Sequence, residues 1–209
     1  MLGNLVYNPV EALIALFALV ATVTVHEFAH AKTADTLGDP TPHLQGRVTL
    51  NPTAHLDLVG SILFLLVGFG WGKPVQFDPF NLKNPRRDSG LISIAGPGSN
   101  LLMAVASSLL LYLFNFIGFA DTFVIGLLYW LVRWNIILGI FNLLPFAPLD
   151  GFKIVGGFLS ERQARDWYSL ERYGFIFLLF AIFPLIGNRS MIQIFLIPVI
   201  QFILGLLIP

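Results

Sequence analysis

Long apolar runs separated by short polar stretches make up the hydrophobic pattern of this chain. Five runs are long enough to predict membrane-spanning helices, at residues 10–31, 91–120, 122–149, 173–188 and 190–209. About 20 residues at a rise of 1.5 Å each cross the hydrocarbon core of a bilayer. A sixth run, at residues 58–72, is shorter and rich in glycine. The pattern therefore predicts an all-α polytopic membrane protein with about five transmembrane helices.

The 58–72 segment is flanked by two stretches in which polar and apolar residues alternate weakly. These stretches are residues 46–50 and 73–77. Alternation with a period of two is typical of a strand with one buried face. We therefore predict a short β-strand on each side of the 58–72 segment.

Composition supports a membrane protein and excludes several other classes. Charged residues make up only 11% of the chain and mean hydropathy is +0.78, whereas soluble domains carry about 25% charge. The formal net charge is zero, so no basic field favours a nucleic-acid partner. The chain has no cysteine, which excludes disulfides and thiolate metal ligands. The first apolar run has no basic start, and we interpret it as a retained helix rather than a cleaved signal.

The positions of Lys and Arg distinguish two possible topologies. If residues 58–72 span the membrane, the two sides carry eight and three positive charges; if they dip in and return, the numbers are ten and one. The cytoplasmic side of a membrane protein carries the excess of Lys and Arg. The re-entrant arrangement gives the larger difference in positive charge between the two sides. The backbone of such a segment must be covered by protein or water. We therefore predict that 58–72 is a re-entrant wall near the site described next.

Three ionisable side chains, His26, Glu27 and His30, end the first apolar run. Positions i and i+4 lie on one face of a helix, so both histidines can bind one ion. Zinc accepts imidazole nitrogen and keeps one position for water in catalytic sites. The adjacent Glu27 is then a candidate general base. The alternative is a chance spacing, but that leaves the cost of burying these groups unexplained.

A third metal ligand is expected from the other end of the apolar region, and Asp150 is the candidate. It follows Pro145 and Pro148, and prolines in this position unwind the end of a helix. The alternative is an ordinary helix cap at the membrane surface. Asp150 can meet the histidines only if both helix ends face the same side, which the re-entrant topology allows.

Two asparagines lie in apolar surroundings and need hydrogen-bond partners. Asn100 follows the small residues 96–99, and Asn142 precedes the two prolines. Each could bind a substrate carbonyl or orient a metal ligand. Each could equally be a structural amide, because small residues and amides also serve close helix packing in membranes.

Three motifs together resemble the site-2 protease family of intramembrane zinc metalloproteases, peptidase family M50. They are His26-Glu27-x-x-His30, Gly96-x-x-x-Asn100 and Asn142-x-x-Pro145-x-x-x-Leu149-Asp150-Gly151. The resemblance implies one zinc ion held by His26, His30 and Asp150, with Glu27 as catalytic base and the site open to the cytoplasm. The chain is similar to the small branch of the family without PDZ or CBS domains. Residues 46–57 also resemble that branch.

His55 and Asp57, just before the re-entrant segment, have two possible roles. They could form a hydrogen bond to a metal-binding histidine and so fix its tautomer. They could instead belong to a hydrogen-bonded turn, which Asn51-Pro52 indicates. We also hypothesise that one of the two predicted strands pairs with an unwound substrate by strand addition.

We therefore expect a single membrane-embedded metalloprotease domain over residues 1–209, with a catalytic core at about 10–155 and a C-terminal helical hairpin at about 173–209. Its expected activity is cleavage of membrane-spanning protein or peptide substrates in a lipid bilayer, specifically a prokaryotic cell membrane. Two alternatives are a non-proteolytic zinc-binding membrane protein, such as a transporter or scaffold, and a zinc peptidase acting on small peptides or soluble tails. Glu27 favours hydrolysis, since a transport site needs ligands but no adjacent base. Substrate identity and oligomeric state are not predicted.

Overall fold

Three long apolar helices dominate the computed structural model, which describes residues 8–67, 70–184 and 189–209. They are α1 (Pro9–Thr36), α4 (Pro85–Phe116) and α5 (Thr122–Asn142), and each is long and apolar enough to cross a membrane. The shorter helices are α2 (Thr41–Leu44), α3 (Leu58–Val67), α6 (Asp150–Phe158), α7 (Glu161–Tyr168), α8 (Gly174–Ile182) and α9 (Ile197–Leu207). The predicted all-α fold is confirmed for these residues.

Helix α1 begins with a strong local signal and buries a face of small residues. The Asn8 side chain accepts a hydrogen bond from the backbone N–H of Glu11, and Pro9 occupies the first turn. Both features favour a helix start. The buried residues of its first half include Ala12, Ala15 and Ala18. Such small residues let α1 pack closely against α4 and α5, as in membrane helix bundles.

Helix α4 lies at the centre of the fold and packs on α1, α5 and α6. Its crossing with α6 is especially close, because Gly90 and Gly157 face each other. A Cβ atom built on Gly90 would lie 3.2 Å from the Cα atom of Gly157. This contact holds the last turn of α6 beside the second turn of α4.

The predicted number of about five spanning helices is not supported, because only three helices in the described residues have that length. The C-terminal region is helical, but its helices are shorter than the apolar runs that predict them. Helix α8 has nine residues and ends where Phe183 becomes extended before Pro184. Part of the predicted hairpin, residues 185–188, lies outside the described residues. Helix α9 packs on the long helices, and the Ser108 hydroxyl donates to the Leu207 carbonyl at 2.6 Å.

The chain folds back between residues 56 and 72, an arrangement that the predicted re-entrant topology requires. Leu56 and Gly72 form an isolated antiparallel bridge, and the Lys73 N–H donates to the His55 carbonyl at 2.8 Å. Both ends of the segment therefore lie side by side. Gly60 lies against Trp71, since a Cβ atom on Gly60 would lie only 2.1 Å from the Trp71 carbonyl oxygen.

The two predicted flanking strands are wrong, because neither 46–50 nor 73–77 forms a strand in the structure. In the first stretch Gly46 has φ +67° and the Thr49 N–H bonds the Arg47 carbonyl in a tight turn. The second stretch is irregular, and its Val75 N–H donates to a carboxylate rather than to a neighbouring strand. The weak alternation reflects local turns and contacts to α1. The strand-addition hypothesis therefore loses its structural basis.

Candidate metal centre

Three potential ligand atoms converge between α1 and α6. The Nε2 atoms of His26 and His30 are 3.0 Å apart, and each lies 3.2 Å from Oδ2 of Asp150. Both histidines are nearly buried, at 4% and 7% exposed. Asp150 is the first residue of α6, so the motif on α1 and the distant aspartate meet as the topology argument requires.

A chain of buried amides fixes the tautomer of His26. The Asn135 side-chain Nδ2 donates to the Leu131 carbonyl, which only accepts, and to the Thr22 hydroxyl. Its Oδ1 therefore faces Asn100 and accepts from Nδ2 of Asn100 at 2.8 Å. The remaining oxygen of Asn100 contacts Nδ1 of His26 at 2.5 Å. Because that oxygen can only accept, Nδ1 of His26 carries a proton, and in the neutral ring Nε2 then presents the lone pair.

His30 is oriented in the same sense by a backbone carbonyl. Its Nδ1 donates to the carbonyl oxygen of Ile92 on α4 at 2.7 Å, so in the neutral ring its Nε2 also presents the lone pair. Metal-binding histidines ordinarily donate their second ring N–H to such an acceptor.

A cation fits the resulting arrangement of acceptors. Two imidazole lone pairs face each other with a carboxylate oxygen beside them, and Oδ2 of Asp150 is buried without a hydrogen-bond donor. Without a positive charge between them, these atoms repel one another. Ligands about 2.0–2.1 Å from a tetrahedral zinc ion lie about 3.3 Å apart, close to the observed separations. His26, His30 and Asp150 could therefore hold zinc, and the absence of sulfur from the donor set fits a catalytic site.

Gly96 of α4 lies directly beneath the two imidazole rings. A Cβ atom at this position would lie 2.3 Å from Nε2 of His30 and 2.7 Å from Cε1 of His26. Contacts under 3.0 Å are not tolerated by real side chains, so only glycine allows this approach of α4 to α1. The role of Gly96 is thus to leave room for the ring pair.

Asp150 is positioned by a compact turn that joins α5 to α6. The Leu149 N–H donates to the Phe146 carbonyl at 3.0 Å. A Cβ atom on Gly151 would lie 2.3 Å from the carbonyl oxygens of both Leu143 and Leu144. The chain therefore doubles back tightly at Gly151, which directs the preceding carboxylate toward α1.

Glu27 is held by the loop that follows residues 58–72 and not by His26, His30 or Asp150. Its Oε2 accepts a hydrogen bond from the Val75 N–H at 3.0 Å and lies 3.9 Å from Nη2 of Arg47. Arg47 is only 3% exposed and donates to the Ala54 and Lys73 carbonyls. Burial lowers the pKa of its guanidinium below the ordinary value, and the Glu27 carboxylate opposes this shift. The position of Arg47 beside Glu27 was missed by the sequence reasoning.

A buried carboxylate at the end of α1 fixes the same loop. Asp39 is fully buried and accepts hydrogen bonds from Thr41, from the Asp78 N–H and from the Asn81 side chain. Burial alone would raise the pKa of Asp39, but these hydrogen bonds lower it below its ordinary value. Asp39 thereby connects α1 to the chain that follows Val75.

The other predicted site residues, Asn142, His55 and Asp57, make hydrogen bonds to the backbone. Asn142 donates to the Leu138 carbonyl of its own helix at 3.0 Å. His55 is buried, with Nε2 2.7 Å from the Thr49 carbonyl oxygen, and Asp57 accepts from the Gly60 N–H at the start of α3. The turn role of His55 and Asp57 therefore agrees with the observed contacts. The Nδ1 atoms of His26 and His30 contact Asn100 and the Ile92 carbonyl instead.

Replacing Asn135 with leucine should weaken metal binding even though Asn135 touches no ligand atom. Without its amide, Asn100 can rotate and present a donor to His26, which favours the wrong tautomer. Loss of such supporting contacts typically costs about 10–100-fold in metal affinity, measurable by competition with a chromogenic chelator. Thr24→Val is the matched control, since the buried Thr24 hydroxyl bonds only the Val20 carbonyl of its own helix. Equal affinity in both variants would contradict the tautomer argument.

Comparison with known proteins gives a consistent set of relatives. The model of "Peptidase family M50" matches residues 118–183. "Putative zinc metalloprotease YwhC" of Bacillus subtilis is 39% identical over 191 residues, which cover 88% of this chain and 87% of that protein. "Putative zinc metalloprotease Rip2" of Mycobacterium tuberculosis is 29% identical over 77% of this chain and 62% of its own length. No solved structure matches the chain significantly.

Proposed function

Because this chain belongs to peptidase family M50 and is a zinc metalloprotease, we propose that it cleaves peptide bonds of membrane-spanning substrates within the bilayer. The observation that carries the proposal is the cluster of two imidazole Nε2 atoms and one carboxylate oxygen, all within 3.2 Å of one another, between α1 and α6. That cluster belongs to a bundle with three helices of membrane-spanning length. A substrate that reaches it from the lipid must present its peptide bond at the same depth.

We assign His26, His30 and Asp150 as the zinc ligands and Glu27 as the general base. Bound zinc would polarise the peptide carbonyl and make an attacking water more acidic. Glu27 takes the proton of that water and returns it to the leaving amine. The Val75 N–H and Arg47 hold the carboxylate in place. Asn100 and the Ile92 carbonyl keep both imidazoles oriented throughout.

We further propose that the site faces the cytoplasm of a prokaryotic cell. The fold-back of residues 58–72 supports the topology in which the ten Lys and Arg residues of 32–90 and 150–172 share one side. Under the positive-inside rule the crowded side is cytoplasmic. In this arrangement water reaches the site from the cytoplasm and substrate from the bilayer.

Removing the metal tests the peptidase assignment directly. The purified protein in detergent should cleave a peptide with a membrane-spanning segment, lose that activity with 1,10-phenanthroline, and regain it when zinc is restored. A soluble peptide carrying the same cleavage sequence serves as the comparison substrate. Cleavage that survives complete zinc removal would refute the metal-dependent mechanism, and preference for the soluble peptide would refute the intramembrane substrate.

Arg47→Lys is expected to lower kcat by about 100-fold, since a misplacement of about 1 Å in a catalytic group has effects of this size. Lysine keeps the charge but cannot donate to both the Ala54 and Lys73 carbonyls with one planar group. KM and zinc content should change little, because Arg47 does not contact the metal ligands. Arg172→Lys, at an exposed arginine, is the matched control. A rise in KM with unchanged kcat would contradict the role assigned to Arg47.

A further inference from the structure

An open cavity of about 860 Å³ lies on the polar surface between the start of α4 and helix α7. Its walls carry four basic side chains, Lys83, Arg86, Arg87 and Arg165, and one acidic side chain, Glu161. The cavity is separate from the metal centre and takes no part in the chemistry described above. Its charge therefore needs an explanation of its own.

The four cations lack partners within the described ranges 8–67, 70–184 and 189–209. None of them has a carboxylate oxygen within 4.0 Å, whereas the ion pairs that do form involve other basic residues. In addition, Nε of Arg86 is buried and has no hydrogen-bond acceptor. A buried donor without an acceptor is unfavourable. An anion in the cavity would supply the partner that the four cationic groups on its walls lack.

Tyr168 adds a neutral donor to the same wall. Its hydroxyl lies against Gly156 of α6, where a Cβ atom would be 2.5 Å away. Burial raises the pKa of Tyr168, although Arg86 opposes this shift, so the hydroxyl keeps its proton at neutral pH. A planar guanidinium together with a hydroxyl matches the oxygen-rich surface of a phosphate group.

The surface of α4 indicates where the rest of such a ligand would lie. Arg87, Leu91 and Ile94 follow one another at helical spacing, and this face continues to Leu102. The three apolar side chains are 41%, 42% and 74% exposed. An apolar stripe on a helix of membrane-spanning length therefore begins one turn beyond the basic cavity. A ligand with an anionic head and a long apolar chain fits both surfaces at once.

We propose that this cavity binds the phosphate headgroup of an anionic phospholipid, with an acyl chain along the exposed stripe of α4. The bound lipid connects α4 to α7 through the four cations. It also stabilises α6, because Tyr168 packs against Gly156. Basic pockets beside spanning helices on the cytoplasmic side suit anionic headgroups. The proposal does not depend on the peptidase activity.

Native mass spectrometry of the full chain in neutral detergent tests the site. Phosphatidylglycerol is titrated against phosphatidylcholine, and the retained lipid is counted per protein. The double variant Arg87→Gln/Arg165→Gln should bind phosphatidylglycerol about 25-fold more weakly, at about fivefold for each removed charge. The double variant Arg162→Gln/Arg172→Gln loses the same charge at exposed positions outside the cavity and should bind as the unaltered protein does.

Three results bear on the proposal. Selective loss of phosphatidylglycerol from the cavity variant supports it, and equal losses from both double variants overturn it. Inorganic phosphate is titrated in parallel, and displacement of the lipid by phosphate at similar concentration would overturn the assignment to a lipid. Glu27→Gln protein should retain phosphatidylglycerol fully, so failure of the peptidase assignment and failure of the lipid site give different results.

Discussion

Replacing Glu27 with glutamine is expected to abolish peptide hydrolysis while zinc remains bound. Glutamine has the same shape and its amide oxygen can still accept from the Val75 N–H, but it cannot take a proton from water. Loss of a general base typically lowers the rate by about 10²–10⁴-fold. The two histidines of the candidate metal centre are held by Asn100 and the Ile92 carbonyl, so metal affinity should not change.

The matched control is Glu11→Gln on the same helix. Glu11 lies at the N-terminal end of α1 and bonds only with Asn8 there, far along the helix from the histidines. The Glu11→Gln variant should retain both zinc and activity. A zinc-loaded Glu27→Gln enzyme that cleaves at the unaltered rate would exclude Glu27 as the base. Loss of zinc from this variant would instead indicate that Glu27 supports the ligands.

Gly96→Ala is expected to eliminate the metal centre by adding one methyl group. The new Cβ atom would lie 2.3 Å from Nε2 of His30, and neither ring can retreat without breaking its bond to Asn100 or to the Ile92 carbonyl. Zinc affinity should fall by on the order of 100-fold or more, beyond the loss of a supporting contact. Overpacking of this kind also destabilises a core by about 1–3 kcal/mol.

Gly98→Ala provides a matched control two residues along the same helix. A Cβ atom at Gly98 would meet nothing within 4 Å, and alanine is the better helix former. This variant should keep its zinc and melt at the same or a slightly higher temperature. Equal zinc content in the Gly96 and Gly98 variants would contradict the close approach of α4 to the histidines.

Sequence reasoning predicts the three side chains that converge at the candidate site because two constraints are strong. Helical spacing fixes His26 and His30 on one face, and few carboxylates follow a helix end on the same side of the membrane. Asp150 meets that requirement, and the structure has it 3.2 Å from both rings. The fold-back of 58–72 followed from the same requirement and from the distribution of Lys and Arg.

The supporting residues could not be predicted because their partners are distant in the sequence. Asn135 and Thr22 look like isolated polar residues in apolar helices, and only their contact with Asn100 gives them a role. Arg47 lies in a loop whose sequence is also compatible with a surface turn. Ile92 contributes only its backbone carbonyl, so no side-chain pattern can reveal it.

The errors in the fold have physical causes as well. Hydropathy counts apolar residues whether or not they continue a helix. It therefore predicts a span at residues 173–188, whereas helix α8 has only nine residues. The weak alternation at 46–50 and 73–77 predicts two short strands, and the structure has neither. In the structure the Val75 N–H donates to Glu27 instead of to a second strand.

Zinc K-edge X-ray absorption of the tag-free protein tests the central claim most directly, namely that His26, His30 and Asp150 hold one zinc ion. We predict one zinc per chain, with a four-atom shell of nitrogen and oxygen at about 2.0–2.1 Å and outer-shell scattering from two imidazoles. The Asp150→Ala protein should lose this signal. A six-coordinate oxygen shell without imidazole scattering, or an unchanged spectrum in the Asp150→Ala protein, would contradict the proposed centre.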